Sequence, residues 1–218
     1  MTLRPLLLAC LLGVCFTPPV LGAPRASVKP AVAKAKPVSP TKKKAPKPSR
    51  GQRVAQRASG LVGASLANHR VPDDCSGLVR LAYQAVGVEL LSHGTRPGEN
   101  AASAMYRRAQ KAGALHRKRP QPGDIVFFRE TYDRNRDGLR NDGVTHVGVI
   151  ESVTREGTVV FVHRGGQGVA RARMNLRHPK RGATGGHVFN DYLRRAEDGQ
   201  GARLTGELFV GYASSGRL

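Results

Sequence analysis

Cys75 lies in the segment DCSGLV, where a helix is predicted to begin. A helix N-terminus carries partial positive charge, which favours a thiolate, the attacking form of cysteine. Backbone N–H groups at such a terminus can also hold a developing oxyanion. Ser76 and Gly77 follow and are small, so a carbonyl carbon could come close to the sulfur. A cysteine can equally serve as a small buried hydrophobe. Its place at a helix start is better explained by reactivity than by packing.

A thiol nucleophile needs a base, and the base needs a partner that orients it. His146 opens the apolar run THVGVI, with Gly148 leaving space beside it, and His163 closes the run VVFVHRGG. If these runs are adjacent strands joined near Glu156, His163 falls beside His146 and can fix its tautomer. The bland reading of His146 is a surface histidine at a strand edge. His69, His93, His116, His178 and His187 sit in loop-like or basic surroundings and are expected to face solvent.

The elements that must carry these residues can be read from periodicity. Apolar residues at helical spacing run from Gln52 to Leu66. Asp73 or Asp74 could cap a second helix, with Leu78, Val79, Leu81, Ala82 and Ala85 on its apolar face and Gly87 beyond its end. Glu99 to Ala112 reads as a third helix. Strands are expected at Ile125–Phe128, His146–Val153, Gly157–His163, Gln167–Met174 and Phe209–Ala213. Helices first and strands afterwards indicate an α+β fold.

Between Phe128 and His146 lies the insert ETYDRNRDGLRNDGV. Asp133, Asn135 and Asp137 alternate before Gly138, like the first half of a calcium loop, and Asp142 could add an oxygen. Val144 stands where a full loop of that kind has its bidentate Glu, and Arg134, Arg136 and Arg140 add positive charge. The same residues make ordinary turns. A calcium ion here would be structural, and the Cys–His chemistry requires no cofactor.

Three cysteines occur in the chain, and Cys10 and Cys15 lie in a leader-like segment. Arg4 followed by the apolar run Leu6–Phe16 and the small residues Gly22 and Ala23 reads as a secretory signal over residues 1–22. A retained anchor and lipidation at a lipobox-like LLAC are the alternatives. Removing the signal leaves Cys75 alone, so no intramolecular disulfide can form. Residues 23–50, rich in Pro, Ala and Lys, carry nine positive charges and no acid, and read as a disordered basic linker. Residues 51–218 have the composition and length of one domain.

The formal net charge is +21, from 36 Lys and Arg against 15 Asp and Glu, and the excess is not confined to the linker. Such a field attracts polyanions. Aromatic residues are 5% of the chain and there is no Trp, which leaves little material for stacking single-stranded nucleic acid. For an exported chain the nearer anions are wall polymers and peptide carboxylates, so no specific nucleic-acid partner is expected.

In order, DCSGLV, QPGDIVFF, THVGVI and FVHRGG resemble the motifs of the NlpC-type papain-like cysteine peptidases of bacterial cell walls, over Gln52 to Gly168. That resemblance implies a papain-like fold with N-terminal helices packed on an antiparallel sheet. It implies a triad of Cys75, His146 and His163, and hydrolysis of amide bonds in peptidoglycan stem peptides, most often D-γ-glutamyl to diaminopimelate. The expected protein is an exported monomer in the periplasm or at the cell surface, with no transmembrane segment once the signal is gone. A basic wall-binding module without catalysis, and a papain-like amidase or acyltransferase, are the other readings. Two features depart from the family: GASLANHRVPDDCSG has no aromatic residue before the cysteine, and the insert separates two strands usually joined by a short connection.

Overall fold

Helix α1 (Arg50–Ser59) begins where Ser49 and Gln52 cap each other: the Ser49 side chain accepts from the Gln52 N–H, and the Gln52 side chain accepts from the Ser49 N–H. The computed structural model describes residues 46–196 and 201–218, all within one unit, Ala45–Leu218. The signal reading of residues 1–22 and nearly all of the linker reading of 23–50 lie outside the described residues. The helix expected to reach Leu66 stops at Ser59, because Gly60 ends it and Gly63 turns the chain at a φ of 78°. Leu61 and Leu66 are nevertheless buried, so their apolar spacing serves a packed turn rather than a helix.

Helices α2 (Cys75–Gln84) and α3 (Ala101–Lys111) are capped by Asp74 and Asn100. The main sheet is antiparallel throughout. Its strands are β1 (Leu115–His116), β2 (Ile125–Arg129), β3 (Val144–Val153), β4 (Val159–Gly165), β5 (Gly168–Met174) and β10 (Phe209–Ala213), in the order β1-β10-β2-β3-β4-β5. The described residues of the segment that the sequence left unassigned, 175–196 and 201–208, include β6 (Ala183–Thr184), β7 (His187–Val188), β8 (Tyr192–Arg194), β9 (Arg203–Leu204) and the one-turn helix α4 (Thr205–Leu208). The architecture is therefore α+β, with an antiparallel sheet and a few helices.

Two apolar clusters cover the two faces of the sheet. The helices supply Val54, Leu78, Tyr83 and Met105 against Ile125, Phe127, Val147 and Val149. On the opposite face Val126, Phe128, Ile150, Phe161 and Met174 pack with Leu208 and Tyr212. Strand β2 is consequently buried on both faces, which is why IVFF reads as an unbroken apolar run. Burying Phe127 and Phe128 completely contributes about 2–3 kcal/mol each. Among the described residues no helix is long and apolar enough to cross a membrane.

The start of β3 is held from two sides. The Asn100 Nδ2 and Ser103 Oγ groups of α3 both donate to the Val144 carbonyl, at 2.9 and 2.8 Å. From the insert, the Thr131 N–H donates to Thr145 Oγ1 at 2.9 Å, and the two threonine hydroxyls lie 2.8 Å apart. His146 comes next in the chain.

Candidate active site

Cys75 is the first residue of α2. The Asp74 carboxylate caps this helix by accepting from the Gly77 N–H at 2.9 Å and from the Ser76 hydroxyl at 2.7 Å. The N–H groups of Cys75 and Ser76 face the sulfur, as does the Val147 N–H of β3, and all three favour the thiolate. Pairing of β3 with β4 runs from Val153 only as far as Val149, so the ladder has ended where Val147 meets the sulfur. A Cβ on Gly77 would lie 1.9 Å from the Pro72 carbonyl oxygen, so only glycine lets the 71–74 segment fold against the first turn.

Burial dominates the thiol's electrostatics. It pushes the Cys75 pKa up to about 11, against the pull of the three N–H groups. The helix terminus alone, on which the sequence reading relied, does not offset the loss of water around the sulfur. At neutral pH the resting group is a thiol.

His146 and His163 do come together. Nε2 of His146 lies 2.9 Å from Nδ1 of His163, with the rings edge to face. Because Nε2 of His146 is engaged there, Nδ1 is the nitrogen left to exchange a proton with a reactant. Burial, and after it the neighbouring His163, holds the His146 imidazole well below its ordinary range. Burial also lowers His163, while the Asp191 carboxylate works in the opposite direction. Both rings are therefore neutral at rest. Gly148 on β3 is needed for the close approach of β4, since a Cβ there would meet Phe161 Cδ2 at 2.7 Å and the Val162 oxygen at 2.9 Å.

A cleft of about 500 Å³ opens in front of the two histidines. Thr131 and Tyr132 of the insert, the turn Gly165–Gly168, and Tyr192, Leu193 and Arg195 of the C-terminal excursion line it. Tyr132 is half-exposed, and its phenol is raised by burial first and then by Cys75, whose sulfur would repel a phenolate once ionised. An aromatic ring thus stands near the sulfur, although none precedes Cys75 in the sequence. Tyr132, Asp191 and Arg195 were not legible as site residues; the only local signal was an aromatic residue inside an otherwise polar insert.

The insert is closed at its base by Glu130, a residue with a φ of 52° whose carboxylate accepts from the Gly143 and Asp142 N–H groups. Asp133, Asn135 and Asp137 share the exposed loop beyond it. Both Asp133 oxygens accept backbone N–H groups, from Arg136 and Gly138 at 2.7 Å each, and Asp142 accepts from the Arg134 N–H at 2.9 Å. Among the described residues no group of three or more His, Cys, Asp or Glu side chains is arranged to hold a metal ion. Of the histidines expected to face solvent, His93, His178 and His187 do, whereas His69 and His116 are half-buried. His116 departs because its Nε2 lies 3.2 Å from the buried Asp124 carboxylate and its ring packs on Tyr212.

A cysteine at a helix N-terminus whose sulfur meets the Val147 N–H, one residue from a histidine in a buried, hydrogen-bonded pair, has the parts of a thiol hydrolase. Residues 63–185, more than half of the chain, match the model of the NlpC/P60 family, and the chain belongs to that family. No curated protein and no solved structure matches it. The family consists in general of cysteine peptidases and amidases and is typically associated with the cell wall. Cys75, His146 and His163 all fall within the matched segment, whereas Tyr192, Leu193 and Arg195 lie beyond it.

Proposed function

We propose that this protein is an exported peptidoglycan hydrolase that cuts an amide bond of the stem peptide, D-γ-glutamyl to diaminopimelate, with Cys75 as nucleophile. The observation that carries this reading is the 2.9 Å contact between His146 Nε2 and His163 Nδ1, on a strand whose next residue, Val147, turns its N–H to the sulfur of the cysteine that opens α2. His146 Nδ1 accepts the thiol proton as the sulfur attacks the carbonyl carbon. The oxyanion that forms is met by the Cys75 and Ser76 N–H groups at the start of α2, which face the sulfur at rest. The imidazolium returns the proton to the leaving amine, and a thioester remains. Water, deprotonated by His146, attacks the thioester and releases a carboxylate and the thiol.

A thiol that rests protonated suits this sequence of steps. Substrate displaces water from the cleft, and proton transfer is coupled to attack instead of preceding it. His163 holds the His146 ring and keeps a hydrogen atom on one defined nitrogen. The basic surface supports association with anionic wall polymers, and the catalytic steps need no second subunit and no metal. Incubation of purified stem peptides with the protein, followed by mass analysis, tests the reading: hydrolysis gives two fragments whose summed mass exceeds the parent by one water.

A further inference from the structure

Arg195 stands at the rim of the cleft that holds His146 and His163, and among the described residues it has no hydrogen bond and no ion pair. The other arginine of the cleft is committed. Arg164 grips Asp73 through two nitrogens and donates to the Gly165 carbonyl at 2.7 Å. Among the described residues, the cleft therefore presents one guanidinium without a partner. Its Nη2 lies 3.9 Å from where a Cβ on Gly166 would stand, so it overhangs the glycine turn between β4 and β5.

The neighbours of Arg195 are fixed more firmly than a surface loop requires. Arg194 is buried, at 3% exposure, and its Nη1 donates to the Glu130 carbonyl at 3.1 Å, at the base of the insert. On the other side Asp191 accepts from the Arg173 N–H at 2.7 Å and from the Arg173 side chain at 3.0 Å. Leu193 packs on the sheet. This short strand is thus clamped at both ends, and Arg195 is the first residue past the clamp. Among the described residues Arg194 has no carboxylate partner, and its bond to the Glu130 carbonyl ties the excursion to the insert that carries Tyr132.

We infer that Arg195 is a specificity-determining residue that binds a carboxylate of the substrate peptide in the cleft. A guanidinium offers two parallel N–H donors, which match the two oxygens of a carboxylate. The flanking walls, Tyr132 and Tyr192, suit the aliphatic parts of a peptide. The residue lies past the end of the family-matched segment, so the preference belongs to this chain's own excursion. The inference rests on the cleft being the peptide-binding site proposed above.

The test separates binding from turnover. Two synthetic γ-D-glutamyl-diaminopimelate peptides are compared, one with free carboxylates and one with those groups as carboxamides. Calorimetry is performed on full-length Cys75→Ala, alone and combined with Arg195→Gln or Arg195→Lys. The Cys75→Ala protein should bind the acid about tenfold to a hundredfold more tightly than the amide, the size of one charge-assisted hydrogen-bonded pair. Adding Arg195→Gln should remove that preference, and Arg195→Lys should restore part of it. An acid-to-amide ratio that is unchanged by Arg195→Gln, or no preference in the first place, overturns the inference. Turnover of the acid peptide by the wild-type protein reports separately on the proposed hydrolase, so failure of one is not mistaken for failure of the other.

Discussion

Arg164 on β4 grips Asp73, two residues before Cys75, with Nη2 at 2.8 Å from Oδ2 and Nε at 3.2 Å from Oδ1. The residue that precedes Arg164 is His163, so this pair ties the nucleophile's approach segment to the strand that orients the base. Exposed ion pairs contribute little to stability. Its value lies in geometry. Arg164→Gln should leave the melting temperature nearly unchanged and lower kcat, by up to about a hundredfold if the sulfur shifts by about 1 Å. Steady-state kinetics beside thermal melting checks this; an equal loss of both would make the pair structural only.

The two histidines should not be equivalent. His146→Ala removes the base and should abolish nearly all turnover. His163→Ala removes only the group that holds His146, so it should cost less. His163→Asn or His163→Gln should keep more activity than His163→Ala, because an amide can still bond to Nε2. Rate measurements on the four variants decide the matter, and wild-type rates across all His163 variants would move the orienting role to another group.

Burial of neutral imidazoles also makes a statement about acid stability. Both histidines have folded pKa values below their unfolded ones. As pH falls through the ordinary imidazole value, about 6.5, the unfolded chain takes up protons that the folded chain does not. Stability should therefore drop between about pH 7 and pH 5, by up to about 1.4 kcal/mol per pH unit for each histidine. The carboxylates Glu89 and Glu99, both held near 2 by arginine partners, act in a lower window, as pH falls below their unfolded range. Urea unfolding at several pH values reads the slope. His163→Gln should flatten it by one group's share, and a flat wild-type profile from 7 to 5 would contradict the buried neutral pair.

Much of this site could be read from residue order alone. DCSGLV placed Cys75 at a helix start because Asp74 is a good N-cap, and the apolar runs that hold His146 and His163, joined near Glu156, placed both on neighbouring strands. What could not be read depends on contacts between distant segments. Tyr132 reaches the field of Cys75 from more than fifty residues away in the chain, and Arg194 reaches Glu130 from further still. Strands of two or three residues, such as β8 and β9, are too short to show a period. The height of the Cys75 pKa was missed because a helix terminus is visible in a sequence and desolvation is not.

Asp133 turns the insert by accepting two backbone N–H groups. Asp133→Ala should destabilise the fold by about 1 kcal/mol and lower turnover as well, since Tyr132 is its neighbour. Calcium titration of both proteins decides whether these oxygens also hold an ion. A rise in melting temperature that chelator reverses and Asp133→Ala abolishes assigns one, and melting that ignores calcium leaves the loop to its own hydrogen bonds.

As proposed, the Cys75 sulfur breaks an amide bond of the stem peptide. The most direct measurement of this is mass spectrometry of a purified γ-D-glutamyl-diaminopimelate stem peptide after incubation with wild type and with Cys75→Ala. Wild type should yield two fragments, one with a new carboxylate and one with a new amine, and in excess peptide a thioester adduct on Cys75 should be trapped at low pH. Cys75→Ala, folded to the same melting temperature, should yield neither. Equal cleavage by both proteins, or an intact peptide with wild type, would contradict the account.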